Sequence, residues 1–336
     1  FRSFVTPIGN RPYRRLPTQC HEGTFLALSR WSFTASTLTT FRHPAASWME
    51  VIHFRSGSGD SAFAATQDGL FPASPSPMLR EMSAADPSEI PPEPNQRLAA
   101  RRRSLGQPVM YQKWRDLLFL HWEVCPATIQ KRLPNGLFVD TFEGRAFLGL
   151  VPFFMRNIRP RFLPAIPGLS DFMELNLRTY VYDRSGVPGV WFYSLDANQP
   201  LAVEVARRVF HLPYEHARMS SSRSVSGAID YHSARRSVGE GASRFEYTLG
   251  ADLSPPPPES LEFFLVERYR LYAGSGDQLW RGAVHHTPYP LRQAALTRCD
   301  ERLMALNRFE STTRPPDHII GSSGVDVDVF KLESIA

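Results

Sequence analysis

The sequence predicts an α+β protein built on a mainly antiparallel sheet, and three observations carry that prediction. Short apolar segments with strand character recur from residue 111 to the C-terminus, separated by turns rich in Gly, Pro and Asn. Helical periodicity is confined to brief stretches between them. No regular strand–helix–strand alternation, which would build a parallel sheet, is present.

Residues 1–108 show no sustained period, and prolines accumulate between Gly69 and Pro108, so this part is expected to be a disordered extension with at most a short helix at Glu93 to Arg103. The chain opens at Phe1, so a fragment or an over-extended reading frame are the other readings of that extension, with Met78, Met82 or Met110 as starts. A single domain is expected over 109–336. Its first element, Trp114 to Val124, is apolar and aromatic enough for a buried strand, although a short helix fits too. Pro126 suits the first turn of a helix that Pro134-Asn135-Gly136 ends. Leu137 to Thr141 and Arg145 to Pro152 flank a hairpin signal at Phe142-Glu143-Gly144. Met155 to Ser170 reads as a loop. Beyond the hairpin at 172–196, a helix is expected from Pro200 to Leu212, strands at Ala228 to Arg235 and Arg244 to Leu249, and a helix from Glu259 to Tyr272. Leu279 to His286 reads as a strand, Leu291 to Asn307 as a helix, and Gly324 to Leu332 as a closing strand.

The 172–196 hairpin organises the rest. Counting by twos places Glu174, Asn176, Arg178, Tyr180 and Tyr182 on one face and Met173, Leu175, Leu177, Thr179 and Val181 on the other. After the turn at Asp183 to Gly189, Val190 to Leu195 has the bulk of a return strand. Pairing Tyr180 with Phe192 would set Arg178 against Ser194 and Asn176 against Asp196. The polar row then faces either an enclosed cavity or water.

Of the 336 residues, 42% are hydrophobic, enough for a sizeable core. Before Met110 there are twelve Arg, no Lys and eight carboxylates, so +4 of the net +5 lies in the extension. Arg101-Arg102-Arg103 lacks aromatic interleaving or a reading motif, so no nucleic-acid partner is expected. No apolar run reaches the ~20 residues of a membrane span, and no membrane partner is expected. Cys20, Cys125 and Cys299 lack CxxC spacing, indicating neither a disulfide framework nor a zinc site and fitting a reducing, cytoplasmic compartment. His285-His286 point to opposite sides of a strand and cannot chelate one ion, so neither a metal nor a cofactor is expected. His121 reads as a hydrogen-bonded core residue. Ser194 has no G-x-S-x-G elbow.

The motifs W-x-x-L-L-F-L-H-W (Trp114 to Trp122), L-P-x-G-L-x-V-D (Leu133 to Asp140), E-x-N-x-R-T-Y-V (Glu174 to Val181), G-V-W-F-x-S-L-D (Gly189 to Asp196), L-P-Y (Leu212 to Tyr214) and E-R-Y (Glu267 to Tyr269) occur in order. Together they resemble the YqjF-like family, domain of unknown function 2071. The resemblance implies an acetoacetate decarboxylase-like fold, an antiparallel β cone or barrel around a pocket with helices outside, and no assigned reaction. The decarboxylase uses a lysine of depressed pKa to form a Schiff base. Lys113, Lys131 and Lys331 are this chain's lysines, and none falls in a motif that maps to that nucleophile.

Glu174 is therefore the candidate acid or base. Arg178, Tyr180, Asn176, Ser194, Tyr231 and Arg235 are the candidate ligand-binding residues. Glu174 and Arg178 lie about 13 Å apart on an extended strand and would not pair directly. Asp196 is the expected partner of Arg178, and a polar network bracing the hairpin is the alternative role for the whole row. Glu267 is expected to pair with an arginine of another element. The sequence thus supports a binding protein for a small, anionic organic molecule. The alternative is a lysine-independent lyase, hydratase or isomerase with Arg178 as carboxylate anchor. An interaction module acting through the basic extension is the third reading.

Overall fold

The structure, a computed structural model, describes residues 91–239, 241–310 and 313–335. Expectations for residues 1–90 lie outside the described residues. The elements in order are α1 (Pro94–Ala99), β1 (Met110–Val124), α2 (Pro126–Gln130), β2 (Leu137–Val139), β3 (Ala146–Pro160), β4 (Phe172–Asp183), β5 (Pro188–Ala197) and α3 (Pro200–Val209). They continue with β6 (Tyr214–Arg223), β7 (Ile229–Arg235), β8 (Ser243–Asp252), α4 (Leu261–Val266), β9 (Arg270–Ser275), β10 (Gln278–His285), β11 (Leu291–Asp300), α5 (Leu303–Leu306), β12 (His318–Val329) and β13 (Glu333–Ser334).

All these strands join one α+β sheet in the order β13-β10-β9-β5-β6-β7-β8-β11-β12-β1-β3-β4-β2, and further β4–β5 and β10–β12 pairings close it on itself. The pairings are antiparallel except where β5 meets β6 and β9. The shared centre is β12-β1-β3-β4-β5. One free edge of β5 gives its first half to β9 and its second half to β6, so the sheet divides there and folds over both faces of the centre. Leu117, Phe119, Phe147 and Phe153 pack on one side with Val284 and Phe264, while Leu118, Leu120, Leu175 and Leu177 pack on the other with Tyr231 and Phe245. This double cover buries every residue of β4, although Glu174, Asn176, Arg178, Thr179 and Asp183 are polar. Strands covered on both faces lose the simple in-out alternation that a half-exposed strand shows.

Several expected elements change. Leu291 to Asn307 is strand β11 followed by the short α5, because pairing with β8 outweighs the helix preference of its Leu, Ala and Arg residues. The helix at 259–272 stops at Val266, after which Arg270 enters β9 between β5 and β10. β3 runs on to Pro160, so the loop begins later than expected. The hairpin signal at 142–144 is reduced to one bridge, Phe142 with Arg145, and β2 pairs with β4 instead. The helix expected at Glu93 to Arg103 is the shorter α1, and Arg97 within it and Arg101 just after it reach Asp140 and Glu267 of the sheet domain. The Arg101–Glu267 contact is the ion pair expected of Glu267. Among the described residues no helix is long and apolar enough to cross a membrane.

Candidate functional site

The polar row of β4 is positioned from both sides. β3 lies along one edge and β5 along the other, with Tyr180 opposite Val190 and Arg178 opposite Phe192. The register is therefore two residues from the expected one. It then slips again, because Leu177 faces Ser194 and leaves Tyr193 as an extra residue in β5. Such a bulge reverses the parity of everything beyond it. Ser194 and Asp196 consequently sit opposite Leu177 and Leu175, on the face away from Glu174 and Arg178.

That parity change divides the candidate residues into two groups, which corrects the single site expected from sequence. Ser194 accepts from Arg235 and from Asn307, each at 2.8 Å, and Asp196 pairs with Arg235 at 2.7 Å. Asp196 is thus the partner of Arg235 and not of Arg178. Burial raises its pKa, and Arg235 pulls it back. Tyr231 lies on the same far side, its hydroxyl donating to the backbone carbonyl of Glu174 at 2.7 Å. Ser194, Arg235 and Tyr231 therefore brace β5 and β4 from behind.

Glu174 and Arg178 line a hollow of about 320 Å³. Its walls are mostly apolar, with Trp114, Met155, Phe172 and Phe192 among them, and Tyr214, Arg268 and Tyr289 add polar groups. The Tyr214 hydroxyl donates to Glu174 Oε2 at 2.6 Å, and Asn176 Nδ2 donates to Oε1 at 3.3 Å. Burial nevertheless dominates and pushes the Glu174 carboxyl up to about 7, with the bonds from Tyr214 and Asn176 acting the other way. Tyr180 is fully buried; burial raises its pKa, and the charge of Arg178 beside it pulls the other way.

Arg178 is the odd cation. It donates weakly to the Leu265 carbonyl at 3.4 Å, lies over the rings of Phe119 and Tyr180, and leaves Nε without a hydrogen-bond partner among the described residues. It makes no ion pair among the described residues. Arg268 pairs with Asp140 at 2.7 Å but keeps Nη2 unsatisfied. Both arginines contribute to the lining of one hollow.

Tyr214 and Arg268 were not singled out from sequence as site residues, although both stand in motifs, L-P-Y and E-R-Y. What places them is the junction of β6 with β5 and the early end of α4. His121 is buried with Nδ1 2.9 Å from His318 Nδ1, and burial holds it well below the usual imidazole range. His286 is stacked on Tyr269 at 4.6 Å, and burial lowers it to about 4. Among the described residues no three His, Cys, Asp or Glu side chains gather as a metal site would need. Lys113 lies 3.9 Å from Asp326, Lys131 and Lys331 are exposed, and none of the three lines the hollow.

Among solved structures, the chain is similar to an acetoacetate decarboxylase-like enzyme from Sphingomonas wittichii RW1, at 13% identity and TM-score 0.49, covering 69% of this chain and 95% of that one. It is similar also to acetoacetate decarboxylase from Legionella pneumophila, at 14% identity and TM-score 0.46, covering 70% and 91%. In sequence it is 42% identical to YqjF of Bacillus subtilis (strain 168) over 186 residues, which is 55% of this chain and 76% of YqjF. With residues 111–326 matching the family model DUF2071, described as an uncharacterized conserved protein, the chain belongs to that family.

Proposed function

We propose that the hollow binds a small organic carboxylate, with its apolar body along the Trp114, Phe172 and Phe192 walls and its carboxylate against Arg178 beside Arg268. The observation that carries this reading is that Arg178 is buried and makes no ion pair among the described residues. An isolated buried cation costs several kcal/mol, a cost that an incoming anion offsets. The planar guanidinium also suits two-point recognition of a carboxylate. Titration calorimetry with the series butanoate to octanoate, set against the matching primary alcohols, tests it. Carboxylates should bind, alcohols should not, and Arg178→Ala should weaken carboxylate binding by roughly 30-fold or more. Equal binding of acids and alcohols, or binding that survives the substitution, would remove the anion site.

One observation favours a reaction as well as binding. A Glu174 carboxyl near 7, held by Tyr214 in an enclosed apolar site, is poised to exchange a proton at neutral pH. We read such chemistry as hydration, isomerisation or elimination on the bound acid, with Glu174 as acid or base. The placement of the three lysines away from the lining supports a route without a Schiff base. Incubating 2-enoic acids with the protein in D2O, read by NMR, checks this. Turnover that Glu174→Gln abolishes supports it, and no conversion of any bound acid leaves a binding protein.

A further inference from the structure

Large apolar side chains are not spread evenly over the surface. Thirteen are exposed among the described residues, and seven of them fall in two short segments: Phe162, Leu163, Ile166 and Leu169 in the loop after β3, and Leu201, Val205 and Val209 on α3. The two segments touch, since Gln199 Nε2 at the head of α3 donates to the Gly168 carbonyl at 2.9 Å. They also form the rim of the hollow, to which Leu163, Ile166, Leu169, Leu201 and Val205 contribute. Phe162, 87% exposed, stands outermost.

The loop is held, not loose. Pro160, Pro164 and Pro167 restrict it, Ser170 Oγ accepts from Ile166 N at 2.8 Å, and Ser170 N donates back to the Ile166 carbonyl at 2.9 Å. Its apolar side chains are therefore kept in water by a fixed backbone. A contiguous apolar patch with a polar rim marks a contact surface.

The charges beside it select the partner. Between residues 156 and 171 there are three arginines and one carboxylate, Asp171, which lies 3.7 Å from Arg156. Arg159 and Arg161 have no carboxylate partner among the described residues and lie over the rings of Tyr111 and Phe162, at 4.4 and 5.1 Å. α3 adds Arg207 and Arg208 against Glu204. A second copy meeting this face about a two-fold axis would bring like charges together. An anionic lipid surface supplies phosphates for the arginines and an acyl boundary for the apolar side chains.

We infer that the rim of the hollow docks on an anionic bilayer, with Phe162, Leu163 and Ile166 entering the interface and Arg159 and Arg161 against lipid phosphates. This departs from the sequence expectation of no membrane partner, which rested on the lack of a spanning segment. Docking needs no span. The inference does not depend on the ligand proposed above, although a hollow that opens toward a bilayer gives an amphipathic acid a direct route in.

The test is co-sedimentation of the full chain with vesicles of phosphatidylcholine, alone or mixed with phosphatidylglycerol. The protein should pellet with the anionic vesicles and release in high salt. Phe162→Ser with Leu163→Ser should lower partitioning by roughly tenfold, and Arg159→Ala with Arg161→Ala should lower it comparably, while circular dichroism stays unchanged. No binding to anionic vesicles would overturn the inference. So would binding that both double variants retain, which would assign it to the basic extension. A dimer in sedimentation velocity that Phe162→Ser with Leu163→Ser dissociates would place a second copy on the patch instead.

Discussion

Tyr214 and Glu174 share a 2.6 Å hydrogen bond in which the phenol donates to a carboxyl that burial has raised to about 7. The folded state therefore holds the Glu174 proton more tightly than the unfolded chain, whose glutamate titrates near 4.5. Stability from this group is complete below about 4.5 and is lost as pH rises through about 7. Glu174→Gln keeps an acceptor for Tyr214 and removes the titration. It should leave stability at pH 4 little changed and raise it above pH 7 by up to about 3 kcal/mol. Urea melts of both proteins across that range check it, and parallel pH profiles would show that Glu174 does not titrate there.

Asp196 and Arg235 lie behind the sheet, so they separate bracing from binding. Asp196 is buried and Arg235 half-buried, and Asp196→Ala strands a cation that Ser194 alone cannot satisfy. The expected cost is about 3–5 kcal/mol of stability with no change in affinity for the carboxylates proposed above. Calorimetry on the folded variant, alongside its denaturant melt, measures the two effects separately. A variant of normal stability and weakened binding would move Asp196 to the ligand face.

These two cases show what was legible in the sequence. The alternation of Glu174, Asn176 and Arg178 with leucines is a local signal, and the period of a strand alone assigns those residues to one face. The extra residue at Tyr193 carries no such signal. Its effect appears only once β4 and β5 are paired, and it moves Ser194 and Asp196 across the sheet. Tyr214 and Arg268 escaped for a related reason, since each arrives beside β4 through contacts with residues far away in sequence. β11 misleads in the opposite way: its residues favour a helix locally and become a strand only because β8 lies beside them.

Gly324 of β12 lies opposite Arg115 of β1, beside the irregularity in the pairing of β1 with β3. Its φ is +124°, and an added Cβ would lie 2.9 Å from Arg115 Cα and overlap the Trp114 carbonyl oxygen. Both neighbours are backbone and cannot turn aside. Just beyond, Asp116 has φ +51° at the break in the β1 pairing. Gly324→Ala should therefore cost more than the ~1 kcal/mol of an ordinary glycine replacement in a strand and part β1 from β12. Hydrogen exchange at Trp114 and Leu117 would report the separation, and native protection there would mean that the strands accommodate the methyl group.

The segment before β1 belongs to the stability of the domain. Arg97, the buried residue of α1, pairs with Asp140, which also holds Arg268 of the hollow at 2.7 Å. Its guanidinium lies 5.0 Å from the centre of the Phe264 ring, while Arg101 lies 4.8 Å from that of Phe263 and 3.3 Å from Glu267. A chain beginning at Met110 removes both arginines and leaves the buried Asp140 with Arg268 as its remaining described ion-pair partner. Losing one partner of a buried pair costs about 3–5 kcal/mol, so the thermal midpoint should fall by roughly 10 °C relative to a chain beginning at Pro91. Arg97→Leu in the full chain should reproduce much of that fall, because the leucine keeps apolar contact with Phe264 but supplies no charge to Asp140. Identical melting of the two shortened chains would show that α1 merely rests on the domain.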